Sequence, residues 1–182
     1  MQTFSHFILK AIGWDIKKEI PDHIKKAVVI VAPHSSYWDF VMGRISYWHM
    51  GVDTKFLIKK EAFFWPLGGL LRKLGGIPVN RGKAGRMTEA VAKMFDENDS
   101  LFITITPEGT RTLVKKWKRG FYRIAMTANV PIIFGVLDYA NKTGGMKKVF
   151  YPTGNIEEDI KEIKSFYKDI KGKNPELSII FD

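Results

Sequence analysis

AVVIVAPHSSYWDF, residues 27–40, opens as an uninterrupted apolar, β-branched run and stops on Pro33-His34-Ser35-Ser36. The run from Val28 to Ala32 predicts a strand buried on both faces, the pattern of a parallel sheet. Trp38 to Met50 predicts a helix directly after it. Working outward, Thr54 to Ile58 and Ile77 to Val79 read as strands, and Met87, Ala90, Val91, Met94 and Phe95 repeat at helical spacing. SLFITIT (100–106) reads as a strand running into Pro107-Glu108-Gly109, followed by a helix from about Trp117 to Ala128. VPIIFGVLDY and MKKVFY read as two further strands, and Ile156, Ile160, Ile163, Tyr167 and Ile170 mark a C-terminal helix. The glycine pairs 68–69, 75–76 and 144–145 read as turns. Strands alternating with helices predict an α/β fold, a single domain over residues 1–182 with a mainly parallel mixed sheet flanked by helices.

In such sheets, sites lie beyond the carboxyl ends of strands. Pro33-His34 follows one strand, Asn80-Arg81 another, and Glu108 to Arg111 a third, so three polar clusters are expected at one cleft. His34 and Asp39 are five apart, an offset of about 140° in a continuous helix, where their side chains would not meet. They meet if His34 sits in the turn before the helix and Asp39 one turn inside it. The carboxylate then fixes the imidazole tautomer and leaves the other ring nitrogen as a base. The plainer alternative is a histidine capping the helix, with Asp39 on the surface. Around Gly109 and Thr110, backbone N–H groups can approach an anion, and Arg111 supplies a bidentate fork for phosphate or carboxylate.

Several chemistries are disfavoured. The chain has no cysteine, which removes disulfides and thiolate catalysis. No G-x-S-x-G elbow accompanies Ser35 and Ser36, and the four histidines show no H-E-x-x-H spacing, so no metal site is expected.

The net charge is +10 and unevenly spread, with eight basic residues against one acid from Lys55 to Arg86. A field of that sign attracts phosphates, anionic lipid surfaces or acidic carrier proteins. No run approaches the length of a membrane span, and the N-terminal residues lack the basic start and cleavage site of a signal peptide. Phe4, Phe7, Ile8, Ala11, Ile12 and Ile16 instead predict an N-terminal amphipathic helix, either docked on the core or lying in a membrane interface.

Taken in order, four stretches resemble the blocks of the glycerolipid (PlsC-like) acyltransferases. His34-Ser-Ser-Tyr-Trp-Asp39 is similar to their H-x4-D motif, GGIPVNR (75–81) to the second block, PEGTR (107–111) to the third and VPII (130–133) to the fourth. The resemblance covers roughly residues 27–135. It implies acyl transfer from acyl-CoA or acyl carrier protein to the hydroxyl of a lysophospholipid such as 1-acylglycerol 3-phosphate, with no other cofactor. Carried over, His34 is the general base, Asp39 orients it, and Arg81, Glu108, Gly109, Thr110 and Arg111 bind the acceptor. The expected location is the cytoplasmic face of a membrane, held peripherally on an anionic surface. A lyso amino-acid lipid, whose carboxylate the arginines would hold, is an alternative acceptor. A basic nucleic-acid-binding module is the alternative of another class, but no recognised motif for it is present and no nucleic acid is expected as a partner.

Overall fold

The computed structural model describes residues 1–80 and 84–177. Its elements run α1 (Gln2–Ala11), β1 (Asp15–Lys18), β2 (Lys26–Val31), α2 (Trp38–Met50), β3 (Thr54–Lys59), α3 (Leu67–Lys73), β4 (Gly76–Val79), α4 (Ala84–Asp96), β5 (Leu101–Ile105), α5 (Gly120–Thr127), β6 (Ile132–Asp138), β7 (Thr143–Phe150) and α6 (Ile156–Phe166). The strands form one seven-stranded sheet in the order β1-β7-β6-β2-β5-β3-β4. β6, β2, β5, β3 and β4 are mutually parallel, β7 pairs antiparallel with β6, and β1 runs parallel to β7. This is the mainly parallel mixed α/β sheet expected from the sequence.

Connection handedness distributes the helices. The crossings from β2 to β3 and from β3 to β4 move one way along the sheet, while those from β4 to β5 and β5 to β6 move back. Right-handed connections therefore place α2 and α3 on one face and α4 and α5 on the other. The two-residue period of β2 separates the cores accordingly. Val28 and Ile30 join α4, α5 and α6 through Val91, Phe95, Phe121, Ile124 and Ile163. Ala27 and Val29 join Tyr47 of α2 with Phe56, Phe102 and Met146. α1 docks beside α2 through Leu9, which clusters with Ile16, Met42 and Leu137.

Four local readings change. The N-terminal helix ends at Ala11, where Gly13 takes a left-handed φ of 74°, and Ile16 belongs to β1 instead. Within α1 the buried positions are Ser5 and Leu9, so Phe4 and Phe7 lie on the outward face. The pair Gly144-Gly145 lies inside β7, where a Cβ on Gly145 would stand 1.9 Å from the Lys17 carbonyl oxygen. Only glycine admits β1 that close. Gly68-Gly69 likewise sit within α3. Finally α5 begins at Gly120, because the Lys118 N–H is tied to the Pro107 carbonyl (2.8 Å) and holds residues 117–119 against the preceding loop.

Candidate active site

β2 ends at Val31 and delivers His34 to the carboxyl edge of the sheet. α2 starts at Trp38, so His34 stands in the preceding turn and Asp39 in the first helical turn. His34 Nδ1 lies 3.0 Å from Asp39 Oδ2, and the same oxygen accepts the Ser35 N–H (3.0 Å) and the Ser36 N–H (2.9 Å). The N-terminus of a helix favours a carboxylate, and Asp39 is buried there at 6% exposure. A side chain buried at that depth in this turn is not the surface aspartate of the plainer reading. Because Nδ1 faces the carboxylate, Nε2 is the nitrogen left for another partner.

β5 ends next to β2 and delivers the 106–111 turn. Glu108 Oε1 accepts the His34 backbone N–H at 3.1 Å, and its Oε2 is buried without a partner among the described residues. Burial pushes the Glu108 carboxyl above its ordinary range, against the opposing pull of backbone N–H groups and of His34. Glu108 therefore stands behind the His34 turn, away from solvent. Gly109 takes φ 64°, and its N–H closes the turn onto the Thr106 carbonyl (3.1 Å), so it is not directed at an anion as the sequence alone implied. Thr110 Oγ1 stands 3.1 Å from Thr112 Oγ1. The Arg111 guanidinium stacks 3.6 Å from the centre of the Tyr37 ring, and among the described residues it has no carboxylate partner. Arg81 lies outside the described residues. The fourth block, VPII, falls at the opposite, amino end of the parallel strands, with Ile132 and Ile133 fully buried. It builds core, not site.

His34, Asp39 and Arg111 line a cavity of about 430 Å³ between α2, α3 and the sheet. That volume is in the range of small-molecule pockets, about 300–1,000 Å³. Its deeper walls are mostly apolar, among them Phe40, Met50, Phe56, Ile58, Leu67 and Leu71. Tyr47 and Thr104 bond to each other in the wall (2.9 Å), which removes their polar atoms from the cavity's demands. Gly43 on α2 leaves room, since a Cβ there would meet nothing within 4 Å.

The sequence matches the family described as Acyltransferase over residues 15–134. The chain belongs to the acyltransferase family. It is 26% identical over 162 residues to a glycerol-3-phosphate acyltransferase of Pseudoalteromonas atlantica, covering 85% of this chain and 19% of that protein. It is 28% identical over 140 residues to the human 1-acyl-sn-glycerol-3-phosphate acyltransferase beta, covering 74% of this chain and 49% of that one. The chain thus spans half or less of the length of these curated relatives. Among solved structures, the 1-acyl-sn-glycerophosphate acyltransferase PlsC of Thermotoga maritima superposes with a TM-score of 0.62 at 18% identity, covering 92% of this chain and 75% of that one. That likeness establishes the shared fold.

Two site residues had escaped the sequence reading. Tyr139 donates its hydroxyl to Asp39 Oδ1 (2.9 Å), and Asn174 bonds Ser35. Tyr139 follows the carboxyl end of β6, so the strand-end rule that found His34 would have found it too. Nothing in the sequence singles out Asn174.

Proposed function

We propose that this acyltransferase moves a fatty acyl group from the thioester of acyl-CoA or acyl carrier protein to the hydroxyl of 1-acylglycerol 3-phosphate. The observation that carries the reading is the His34–Asp39 pair at an apolar cavity with Arg111 on its wall. His34 Nε2 takes the proton of the acceptor hydroxyl as its oxygen attacks the thioester carbonyl. The tetrahedral intermediate then collapses, the ester forms, and the thiolate leaves with the proton that His34 returns. Asp39 keeps the imidazole oriented and stabilises its charged form. Arg111 holds the acceptor's phosphate, Arg81 is proposed to share that anion, and Thr110 presents its hydroxyl nearby. Gly109 shapes the turn, and Glu108 contributes by holding the His34 loop. The cavity beneath α2 shelters the acyl chain, and no further cofactor enters the reaction.

The substrates reach the site from an anionic bilayer surface, bound peripherally on the cytoplasmic side. No helix among the described residues is long and apolar enough to cross a membrane. Phe4 and Phe7 are 61% and 70% exposed on α1, and Phe64 and Trp65 are 59% and 91% exposed before α3. Lys59, Lys60, Arg72 and Lys73 are exposed around the second group. Each cation at such a surface contributes about 1 kcal/mol, so a few suffice without deep insertion.

The test is a labelled acyl thioester offered with a panel of lyso-lipids, phosphate- and amino-acid-headed, to the wild-type protein and to His34→Ala. Phosphatidate should form, and the alanine variant should lose roughly 10²–10⁴-fold in turnover, the usual scale for a lost general base. Product only from the amino-acid lipid would move the acceptor assignment, and near wild-type turnover of His34→Ala would overturn the mechanism.

A further inference from the structure

The Asp39 carboxylate is saturated. Oδ2 receives His34 Nδ1 and the N–H groups of Ser35 and Ser36, all within 3.0 Å, and Oδ1 receives the Tyr139 hydroxyl at 2.9 Å. A carboxylate offers about four lone-pair sites, so this one has no freedom to turn. The turn that supplies two of those donors is held in its own right from the far side. Asn174 donates its backbone N–H to Ser35 Oγ (3.0 Å) and its side-chain amide to the Ser35 carbonyl (2.8 Å). Gly172 lies flat against the same turn, where a Cβ would stand 2.7 Å from Ser35 Oγ and 3.2 Å from Pro33 Cγ. The two supports are joined, because the Tyr139 N–H bonds the Lys171 carbonyl at 2.9 Å. Lys173 adds its ammonium 4.8 Å from the centre of the Trp38 ring, at the first residue of α2.

We propose that Tyr139 and the segment Lys171–Asn174 form a positioning brace that fixes the Asp39 carboxylate, and through it the His34 ring, for proton transfer. Both parts lie beyond residues 15–134, the region that matches the acyltransferase family, so the brace is supplied by chain outside that region. The proposal rests on His34 being the base. Without the Tyr139 hydroxyl, Oδ1 of a buried carboxylate has lost its donor and the group is free to rotate away from the imidazole. Without Asn174, the Ser35–Ser36 turn loses its outer anchor and its N–H groups drift from Oδ2. Small displacements at a reacting centre are costly: about 1 Å loses on the order of 10²-fold in rate.

Three variants of the full chain test it: Tyr139→Phe, which keeps the ring against Trp14, Asn174→Ala, and Gly172→Ala, which drives a methyl toward Ser35. Each is assayed for kcat and acceptor KM, for thermal melting, and for the NMR signal of the His34 Nδ1 proton, which reports its bond to Asp39 and needs no substrate. The expected result is a kcat lowered about 10- to 100-fold with little change in KM or melting. In Tyr139→Phe the Nδ1 proton signal should also move upfield, because a carboxylate free to rotate away holds that hydrogen bond less firmly. Wild-type kcat in Tyr139→Phe and Asn174→Ala with an unmoved Nδ1 proton signal in Tyr139→Phe, and with His34→Ala inactive, would overturn the brace alone. Activity lost only in proportion to folded protein would overturn it as well. An active His34→Ala would overturn the base assignment instead.

Discussion

The two helical layers cover the same sheet under the same rules, yet they finish differently. The α4–α6 layer buries its large apolar side chains: Phe95, Phe121, Ile124, Ile163 and Tyr167 are at most 1% exposed, the Tyr167 hydroxyl is spent on the Ile30 and Gly135 carbonyls, and a cavity of about 500 Å³ there is rimmed by Thr88, Lys118, Arg119 and Arg123. The α1–α3 layer leaves a cavity of about 430 Å³ beneath α2 and turns aromatic rings outward. Of fourteen large apolar side chains exposed among the described residues, eleven come from residues 1–70, the chain that builds this layer, so chance scatter is a poor account of them. One layer turns its large apolar side chains inward. The other leaves more of them at the surface, beside the cavity where the His34 pair stands.

Removing one inward ring and one outward ring separates the two layers most strongly. Phe95→Ala should destabilise the fold by about 3–5 kcal/mol, the cost of a large cavity in a closed core. Trp65→Ala should leave the unfolding free energy within about 0.5 kcal/mol, as an exposed side chain does. Equal losses in chemical denaturation would mean that the layers do not differ in kind.

The same contrast sets a smaller effect at the surface. Phe4→Ser, Phe7→Ser and Trp65→Ser combined should weaken flotation with anionic vesicles by tenfold or more, since each buried aromatic contributes about 1.5–3 kcal/mol. Binding of the parent should fall with salt. Replacements away from this surface, at Met126 on α5 and Tyr151 after β7, should change it little; a loss as large from these would assign the membrane to the wrong face.

Much of the sheet and the His34–Asp39 pair was legible in the sequence, and the remainder was hidden for physical reasons. Residues 27–40 show a strand, a turn and a helix because an apolar run, a proline and a helical pattern adjoin, so His34 and Asp39 could be paired from local rules. β1 was hidden because only Ile16 of its four residues is buried, and α3 because Pro66 and a glycine pair masked seven helical residues. Nor could the direction of α1 be read: its apolar residues outnumber its docking face, and the stripe that stood out in the sequence is the one left exposed. The strand-end rule points to Tyr139 but not to its partner: Tyr139 meets Asp39 across 100 residues, and Asn174 meets Ser35 across 139. Periodicity carries no information about such contacts.

The smallest effect concerns Glu108, buried behind the His34 turn. Its folded-state pKa is raised above the ordinary 4.5, so stability from this group is fully present below that value and lost as pH rises through the raised one. Glu108→Gln does not titrate. Melting curves should therefore show the variant gaining on the parent as pH rises from about 4 toward neutrality. Parallel curves would mean that burial does not perturb the carboxyl.

The space beneath α2 is tested most directly by filling it. Gly43 lines the cavity, and a side chain added there enters open room. Turnover with acyl thioesters of increasing chain length should be measured for the parent and for Gly43→Phe, with melting recorded for both. The expected result is a preference shifted to shorter chains at unchanged melting and with short-chain turnover retained. An unaltered chain-length profile in a folded Gly43→Phe would contradict the claim that this cavity receives the acyl chain.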